Sequence, residues 1–154
     1  NIIKDVLENI ERYSAANNHY VFEITETIEM DKIPAVQNVF KEFVKNEFRF
    51  AIDDFGTGYS NYGYMRDRTF DIVKVDRSFV TDIDKLKDNY LMVSFIIKMA
   101  HEMGLHVCIE GVETKEELSC VKKLGADYIQ GYYYGKPVCL QDFEEQHLKR
   151  FVLG

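Results

Sequence analysis

The sequence predicts an α/β domain in which about five parallel strands alternate with helices. Five short runs rich in β-branched and aromatic residues are separated by helical or loop-like segments, and this order requires parallel strands joined by right-handed crossovers. With 46% hydrophobic and 14% aromatic residues, the 154-residue chain can bury the core of one such domain.

The first half of the chain alternates two helical segments with two strands. Apolar residues recur at spacings of three and four in residues 2–16 and again from about 33 to 45, which predicts amphipathic helices. The runs HYVFEIT (19–25) and FRFAID (48–53) predict strands. Three glycines among small polar residues predict that residues 54–65 form a shaped loop that leads into a short helix.

The second half continues the same alternation as far as a last helix. Gly104 and Gly125 are predicted to end helices, because glycine readily adopts the left-handed conformation found at many helix ends. Thr114 is predicted to begin a helix with an acidic first turn. The predicted elements are a strand at 70–76, a helix at 84–103, a strand at 105–111, a helix at 114–124, a strand at 126–131 and, after the loop 131–137, a helix from about 141 to 150.

The composition argues against several classes of function. A formal net charge of −7 disfavours a protein that binds DNA or RNA polymers, since such proteins contact the phosphate backbone through clustered Lys and Arg. Cys108, Cys120 and Cys139 form no CxxC pair, which predicts free thiols in a reducing, cytoplasmic setting and no structural zinc. No apolar run approaches the roughly 18 residues that cross a bilayer, which leaves a membrane tether elsewhere in the parent protein as an alternative.

Polar and charged residues lie near the carboxyl end of each predicted strand. A sheet core does not need them there. In parallel α/β barrels the carboxyl ends of the strands, with the loops after them, form the face on which active sites lie. We therefore expect one site at this face, built from Glu23, Glu26, Asp53, Asp54, Lys74, Asp76, Glu110, Glu113 and Gln130.

Carboxylates dominate this set, and their number predicts bound divalent cations. Several like charges brought close together raise one another's pKa or bind cations. Since the expected donors are oxygens rather than imidazoles or thiolates, Mg²⁺ or Mn²⁺ is favoured over zinc. Two such ions sharing a bridging carboxylate would suit the hydrolysis of a phosphodiester.

Each of these residues also has an interpretation without chemistry. A single acidic residue after a strand is more often a helix cap or a solvated charge, and Glu113 fits that description well. The pair Asp53–Asp54 stands directly before a glycine-rich loop, where a solvated surface explains it poorly. Lys74, between two valines, is expected to pair with a carboxylate or to contact a phosphate. The tyrosines of loop 131–137 are expected to pack on neighbouring loops more often than to stack on a base.

Five segments in a fixed order carry a resemblance to one known family. FEITET (22–27) is similar to an ELTE-type strand, DDFGTGYSNYGYM (53–65) to a DDFGTGYS segment and VKVDRSFV (73–80) to a KIDRSFV strand. IEGVET (109–114) is similar to AEGVET and DYIQGYYYGKP (127–137) to QGYxxxKP. These are motifs of EAL domains, which are similar to triosephosphate-isomerase barrels. The resemblance implies that residues 1–154 are the C-terminal part of a single EAL domain, with about five of the eight barrel strands.

The resemblance also implies an activity and its cofactors. EAL domains hydrolyse cyclic di-GMP, a bacterial second messenger, to linear pGpG with two Mg²⁺ or Mn²⁺ ions, and the parent domain is expected to do the same. By this resemblance Glu23 and Asp53 bind the first ion, with Asp53 bridging to the second. Asp54 binds the second ion.

Four other positions take roles from the resemblance. Lys74 would orient the nucleophilic water and offset phosphate charge. Glu110 would assist this water or the second ion, and Gln130 would lie near the second ion. Glu26 would hold the loop from Phe55 to Ser60, which leads to the family's dimer interface.

The family's Glu-Ala-Leu strand, and a following strand with a metal-binding asparagine, correspond to positions before Asn1. The resemblance therefore implies that two ligands of the first ion are missing, so the chain by itself is expected to be inactive or weakly active. Its open sheet edges are expected to be covered by a partner copy, by crystal contacts or by a rearranged terminal helix. A homodimer, and sensory or GGDEF domains elsewhere in the parent chain, are further expectations.

Two other functions compete with this prediction. A catalytically inactive EAL module would bind cyclic di-GMP or a protein partner as a sensor. An unrelated aldolase-like (β/α) enzyme would need a Schiff-base lysine and a phosphate loop, and Lys74 alone is thin support for it.

Overall fold

The fold is known from a computed structural model. Glu8 and Ile10 are helical, which agrees with the predicted first helix, and the rest of that helix, the short helix after the glycine-rich loop, the end of the last helix and Glu26 lie outside the described residues. The structure describes residues 8, 10, 20–25, 34–57 and 70–145.

One five-stranded sheet organises the described part of the chain. All four strand pairs are parallel, and the strands stand side by side in chain order. Parallel neighbours in chain order require a crossover after each strand, so the predicted α/β class is confirmed. The strands are β1 (Val21–Thr25), β2 (Arg49–Phe55), β3 (Ile72–Val75), β4 (His106–Ile109) and β5 (Tyr128–Ile129).

In the described ranges, α-helices follow β1, β3, β4 and β5, and apolar side chains of the first three share one core with the sheet. None of the helices in the described ranges has the length and apolarity that would let it cross a bilayer. A 3₁₀ helix, Arg77–Phe79, follows β3 directly. The α-helices are α1 (Pro34–Lys45), α2 (Lys87–Glu102), α3 (Lys115–Leu124) and α4 (Leu140–Phe143).

The boundaries of several predicted elements were wrong by a few residues. Helix α2 begins at Lys87 rather than at residue 84, because the backbone first turns at Asp82, whose φ is 55°. The N–H groups of Lys85 and Leu86 both donate to Asp82 O at 2.8 Å, and this turn delays the helix. Strand β5 has two residues, whereas the sequence predicted six.

The ends of α3 agree with the prediction in detail. Thr114 Oγ1 accepts a hydrogen bond from the Glu117 N–H, and the Glu117 carboxylate accepts one from the Thr114 N–H, which is a capping box. Gly125 ends the helix with φ 91°. Helix α2 ends one residue before its predicted stop, and Gly104 then adopts φ 79°.

The hydrophobic core lies between the sheet and the helices. Strands β3 and β4 contribute side chains that are fully buried, among them Val73, Val107 and Ile109. The opposite face of the sheet is different in character. There Glu23, Lys74, Cys108, Tyr128 and Gln130 help to line an open cavity of about 280 Å³. The core therefore packs against one face of the sheet, and the other face carries polar side chains among apolar ones such as Val21, Ala51 and Ile72.

Asp127 ties the starts of β4 and β5 together at the amino end of the sheet. Its Oδ2 accepts from the Val107 N–H at 2.7 Å and lies 2.9 Å from His101 Nε2, and its Oδ1 lies 3.6 Å from His106 Nδ1. Burial by itself raises the pKa of Asp127, but the Val107 hydrogen bond and the two histidines outweigh burial and hold this pKa below its usual value.

We expect acid to weaken the fold through Asp127. Because its pKa is lowered in the folded state, its contribution is present above the unfolded pKa of about 3.9 and is lost as the pH falls through the folded pKa. Urea unfolding at pH values from about 7 down to about 3 measures this loss. The free energy of unfolding of Asp127→Asn should depend less on pH below about 4 than that of the parent chain. Asp84→Asn, at an exposed position, is the control. If the free energy of unfolding falls with pH equally in Asp127→Asn and in the parent chain, Asp127 is not the source of the acid sensitivity.

Candidate active site

The predicted site residues meet at the carboxyl end of the sheet. Glu23 lies on β1, Asp53 and Asp54 on β2, Lys74 on β3, and Glu110 directly after β4. Because the strands are parallel and adjacent in chain order, their carboxyl ends form one edge. Gln130, directly after β5, lies at the same edge.

Lys74 is the centre of the site. Its ammonium lies 2.8 Å from Glu23 Oε2, 2.8 Å from Asp53 Oδ1 and 2.9 Å from Glu110 Oε1. The Lys74 side chain is only 8% exposed, and it lies in the middle strand of the five. Of the two alternatives for this lysine, pairing with carboxylates is therefore the one found in the structure.

The charges of the cluster shift one another's pKa. Burial by itself lowers the pKa of Lys74, but contacts with Asp53, Glu23 and Glu110 outweigh burial and raise this pKa above the usual value of lysine. Burial raises the pKa of Glu110, and the positive charge of Lys74 only partly opposes this rise. Lys74 therefore stays charged at neutral pH.

Three carboxylates are arranged so that one cation could bind all of them. One oxygen from each of Asp53, Asp54 and Glu110 lies within 4.8 Å of the others. Asp53 Oδ1 is buried, and its partner is the Lys74 ammonium at 2.8 Å. A buried acceptor in this position is suited to a cation. The donor set, made of carboxylate oxygens alone, fits Mg²⁺ or Mn²⁺.

The geometry groups the predicted metal ligands differently from the resemblance. Glu110 belongs to the three-carboxylate group, whereas Glu23 contacts Lys74 and lies outside this group. Asp53 and Glu110 take part in both arrangements. The assignment of individual ligands to two ions stays a prediction.

A local irregularity in β2 brings two consecutive carboxylates to one site. Successive side chains of a regular strand point to opposite faces. Asp54 has φ 54°, and the pairing of β2 with β3 shifts register between Ile52 and Phe55. The Asp54 carbonyl accepts from the N–H and the hydroxyl of Thr57, which closes a turn. The Asp-Asp-Phe-Gly sequence is the signal for this turn, although it does not predict the left-handed residue.

A cavity of about 690 Å³ shares Gln130 with the smaller cavity that Glu23 and Lys74 line, and we call the larger one the mouth cavity. Tyr132, Tyr133 and Tyr134 are 41 to 56% exposed, and their packing on neighbouring loops stays a prediction. Lys136 Nζ lies 5.4 Å from the centre of the Tyr132 ring. The residues that line the mouth cavity include Arg77, Glu113, Gln130, Tyr132, Tyr134 and Lys136.

Sequence reasoning missed two residues of this cavity wall. Arg77 follows β3 by two residues, at the same edge of the sheet as the carboxylates, and Lys136 lies in the tyrosine loop. Position after a strand was the signal that could have identified Arg77. Glu113, for which a cap or a solvated charge was the alternative, is exposed and lies 3.8 Å from Arg77.

The fold and the site together define a class of protein, a parallel α/β domain with an oxygen-rich cation site at the carboxyl end of its sheet. The family model described as EAL domain matches residues 1–137. The chain therefore belongs to the EAL domain family, whose fold resembles a triosephosphate-isomerase barrel.

Known relatives agree with this membership. The chain is 35% identical over 142 residues to a probable cyclic di-GMP phosphodiesterase, PdeA, of Escherichia coli, a match that covers 92% of this chain and 20% of PdeA. The EAL enzyme Bd1971 with cAMP and cyclic di-GMP bound gives a TM-score of 0.85 at 33% identity, covering 93% of this chain and 38% of Bd1971. A manganese and cyclic di-GMP complex of BlrP1 from Klebsiella pneumoniae gives a TM-score of 0.79 at 27% identity, and the match covers 88% of this chain and 34% of BlrP1.

Proposed function

We propose that this chain is part of a metal-dependent phosphodiesterase that hydrolyses cyclic di-GMP to linear pGpG. The observation that carries the proposal is the group Asp53, Asp54 and Glu110 beside the buried Lys74, at the carboxyl end of a parallel sheet. The names of the relatives support the substrate, since PdeA is a probable cyclic di-GMP phosphodiesterase.

The residues of the site have distinct roles in this proposal. Asp53, Asp54 and Glu23 would hold two Mg²⁺ or Mn²⁺ ions, with Asp53 contributing to both. When bound, these ions would supply Lewis-acid catalysis at the phosphodiester and would make water a better nucleophile. Lys74 holds the carboxylates in position and orients the attacking water, and Glu110, 2.9 Å from Lys74, assists this water. Gln130 lines both the mouth cavity and the smaller cavity that Glu23 and Lys74 line.

The mouth cavity is where we place the nucleotide. Its volume of about 690 Å³ lies within the usual range of ligand sites. Although the chain has a net charge of −7, Arg77 and Lys136 both line the mouth cavity and supply positive charge there. Two cationic side chains are suited to binding a ligand with two negative charges. Tyr132 and Tyr134 are about half exposed, and aromatic side chains of this kind are suited to stacking on a base.

Hydrolysis of cyclic di-GMP with Mn²⁺ or Mg²⁺ tests the proposal. It should be measured for the 154-residue chain and for the full-length protein. We expect the full-length protein to release pGpG and the chain alone to be inactive or weakly active, because ligands from other strands complete the first ion's site. Binding without hydrolysis by the full-length protein would instead identify a sensor. If the full-length protein neither binds nor hydrolyses cyclic di-GMP, the proposal is refuted.

Three further expectations accompany this function. We propose a cytoplasmic location for the domain and place sensory or GGDEF domains elsewhere in the protein. A homodimer also stays a prediction, and sedimentation velocity measures it. Exposed apolar surfaces often mark protein–protein contacts. Helix α2 and the turn before it expose four large apolar side chains, Leu86, Leu91, Met92 and Phe95.

A further inference from the structure

Glu117, in the first turn of α3, is a buried charge that the proposed chemistry does not use. Among the described residues, Lys74 and Glu117 are the two charged side chains that are buried, and Glu117 is 6% exposed. Burying a carboxylate is costly unless hydrogen bonds replace its water. The partners of Glu117 should therefore reveal what its burial achieves.

Three backbone N–H groups donate to the Glu117 carboxylate. Oε2 accepts from Glu113 at 2.9 Å and from Thr114 at 3.0 Å, while Oε1 accepts from Asp82 at 3.2 Å. A capping box accounts for the bond with Thr114. It does not account for the bond with Asp82, which lies 35 residues earlier in the chain. Glu117 thus joins two segments that are distant in sequence.

The first of these segments carries Arg77. The Arg77 carbonyl accepts from the N–H of Thr81 at 2.9 Å and from its hydroxyl at 3.1 Å. This compact turn runs directly into Asp82, whose φ is 55°. Holding the Asp82 N–H therefore also holds the turn that begins at Arg77.

The second segment carries Glu113, whose carboxylate lies 3.8 Å from the Arg77 guanidinium. Both side chains line the mouth cavity. Gly111, with φ 71°, packs its backbone against the Arg77 side chain so closely that a Cβ at Gly111 would overlap Arg77 Cβ. The distance between the two segments thus sets the shape of this wall.

The reacting centre is held in a different way. The Glu110 N–H donates to Val75 O at 3.1 Å, and Lys74 lies within β3, so both residues are positioned by the sheet. Loss of the Glu117 carboxylate should move the cavity wall and leave the carboxylate cluster in place. A change in substrate affinity, rather than in the chemical step, is the expected consequence.

We propose that Glu117 is a positioning residue that joins the segments of Arg77 and Glu113 and thereby sets the affinity of the mouth cavity for its ligand. It acts through those residues and does not touch the substrate. The proposal rests on the proposed function in taking cyclic di-GMP as that ligand. Although burial by itself raises the pKa of Glu117, the N–H donors lower it below its usual value, so the carboxylate is charged at neutral pH.

Glu117→Gln separates positioning from helix capping. Glutamine also supports a capping box, so the bond with Thr114 is retained, but its NH₂ group cannot accept from the Asp82 N–H. In the full-length protein with Mn²⁺ we expect Glu117→Gln to raise KM for cyclic di-GMP about three- to tenfold, with kcat within about twofold. Glu116→Gln makes the same charge change at an exposed neighbour and should leave both constants unchanged. An unchanged KM in Glu117→Gln would overturn the proposal.

Amide hydrogen exchange gives a readout that does not need catalysis. The amide of Asp82 should exchange faster in Glu117→Gln, while the amide of Thr114 stays protected. If the parent protein shows no turnover, the proposed function fails, and exchange at Asp82 then decides whether Glu117 joins the two segments. Faster exchange there supports the joining role, and unchanged exchange overturns it.

Discussion

Replacing Lys74 with methionine should lower the free energy of unfolding of the metal-free protein by about 3 kcal/mol. The lysine is 8% exposed and lies within 2.9 Å of three carboxylates, so its removal leaves their negative charges facing one another without compensation. The estimate is at the low end for a broken buried pair, because Glu23 is half exposed and retains water. Urea unfolding in the presence of a chelator measures the loss.

The same variant should gain more stability from Mn²⁺ than the parent protein does. A divalent cation can take over the compensation that the ammonium provided, so the rise in the midpoint of unfolding with added Mn²⁺ should be larger for Lys74→Met. Lys98→Met, at an exposed position of α2, is the matched control and should change neither quantity. If the free energy of unfolding of Lys74→Met lies within about 0.5 kcal/mol of that of the parent, the three ion pairs do not stabilise the fold.

Replacing Asp53 with asparagine should weaken Mn²⁺ binding by about 100-fold or more, which is roughly 3 kcal/mol. Asp53 belongs to the three-carboxylate group, and its Oδ1 is buried beside the Lys74 ammonium. Asparagine keeps the shape of the side chain and removes the charge. In the full-length protein, hydrolysis of cyclic di-GMP should fall about 1,000-fold, since bound ions contribute several kcal/mol to such reactions.

Comparing Asp53 with Asp54 tests the proposed bridge. Two-site titration with Mn²⁺ should show both affinities lowered in Asp53→Asn and one affinity lowered in Asp54→Asn. Asparagine tolerates the left-handed backbone at position 54, where φ is 54°, so the second variant adds little strain. Asp84→Asn removes a charge from an exposed turn and should bind Mn²⁺ like the parent. If each variant instead loses Mn²⁺ affinity at one site only, and to the same extent, Asp53 does not bridge the two ions.

The alternation of apolar and helical patterns was sufficient to predict the α/β class and the order of the elements. Strand β3 is β-branched at three of its four positions, and such a run is typical of a strand buried in a parallel sheet. The ends of α3 were also predictable, because Thr114 and Gly125 act through bonds made within a few residues. By contrast, the late start of α2 follows from the turn at Asp82, whose left-handed backbone has no clear signal in the sequence.

The candidate site was predictable as a set of residues, and its geometry was not. The position of Glu23, Asp53, Lys74 and Glu110 near strand ends is a property of the sequence, and parallel strands bring such ends to one edge. Which carboxylate contacts which group depends on the pairing of the strands. Glu110 thus joined the Asp pair, while Glu23 contacts the lysine from β1.

The sequence by itself determined the class of the fold, the family and the residues from which a site could be built, because periodicity and motifs are local properties of the chain. The tertiary structure alone decided that Lys74 holds three carboxylates, that Asp54 turns left-handed to join Asp53, and that Glu117 reaches Asp82 across 35 residues. These arrangements depend on distances between segments that are far apart in the chain, and the packing of the sheet against its helices sets those distances.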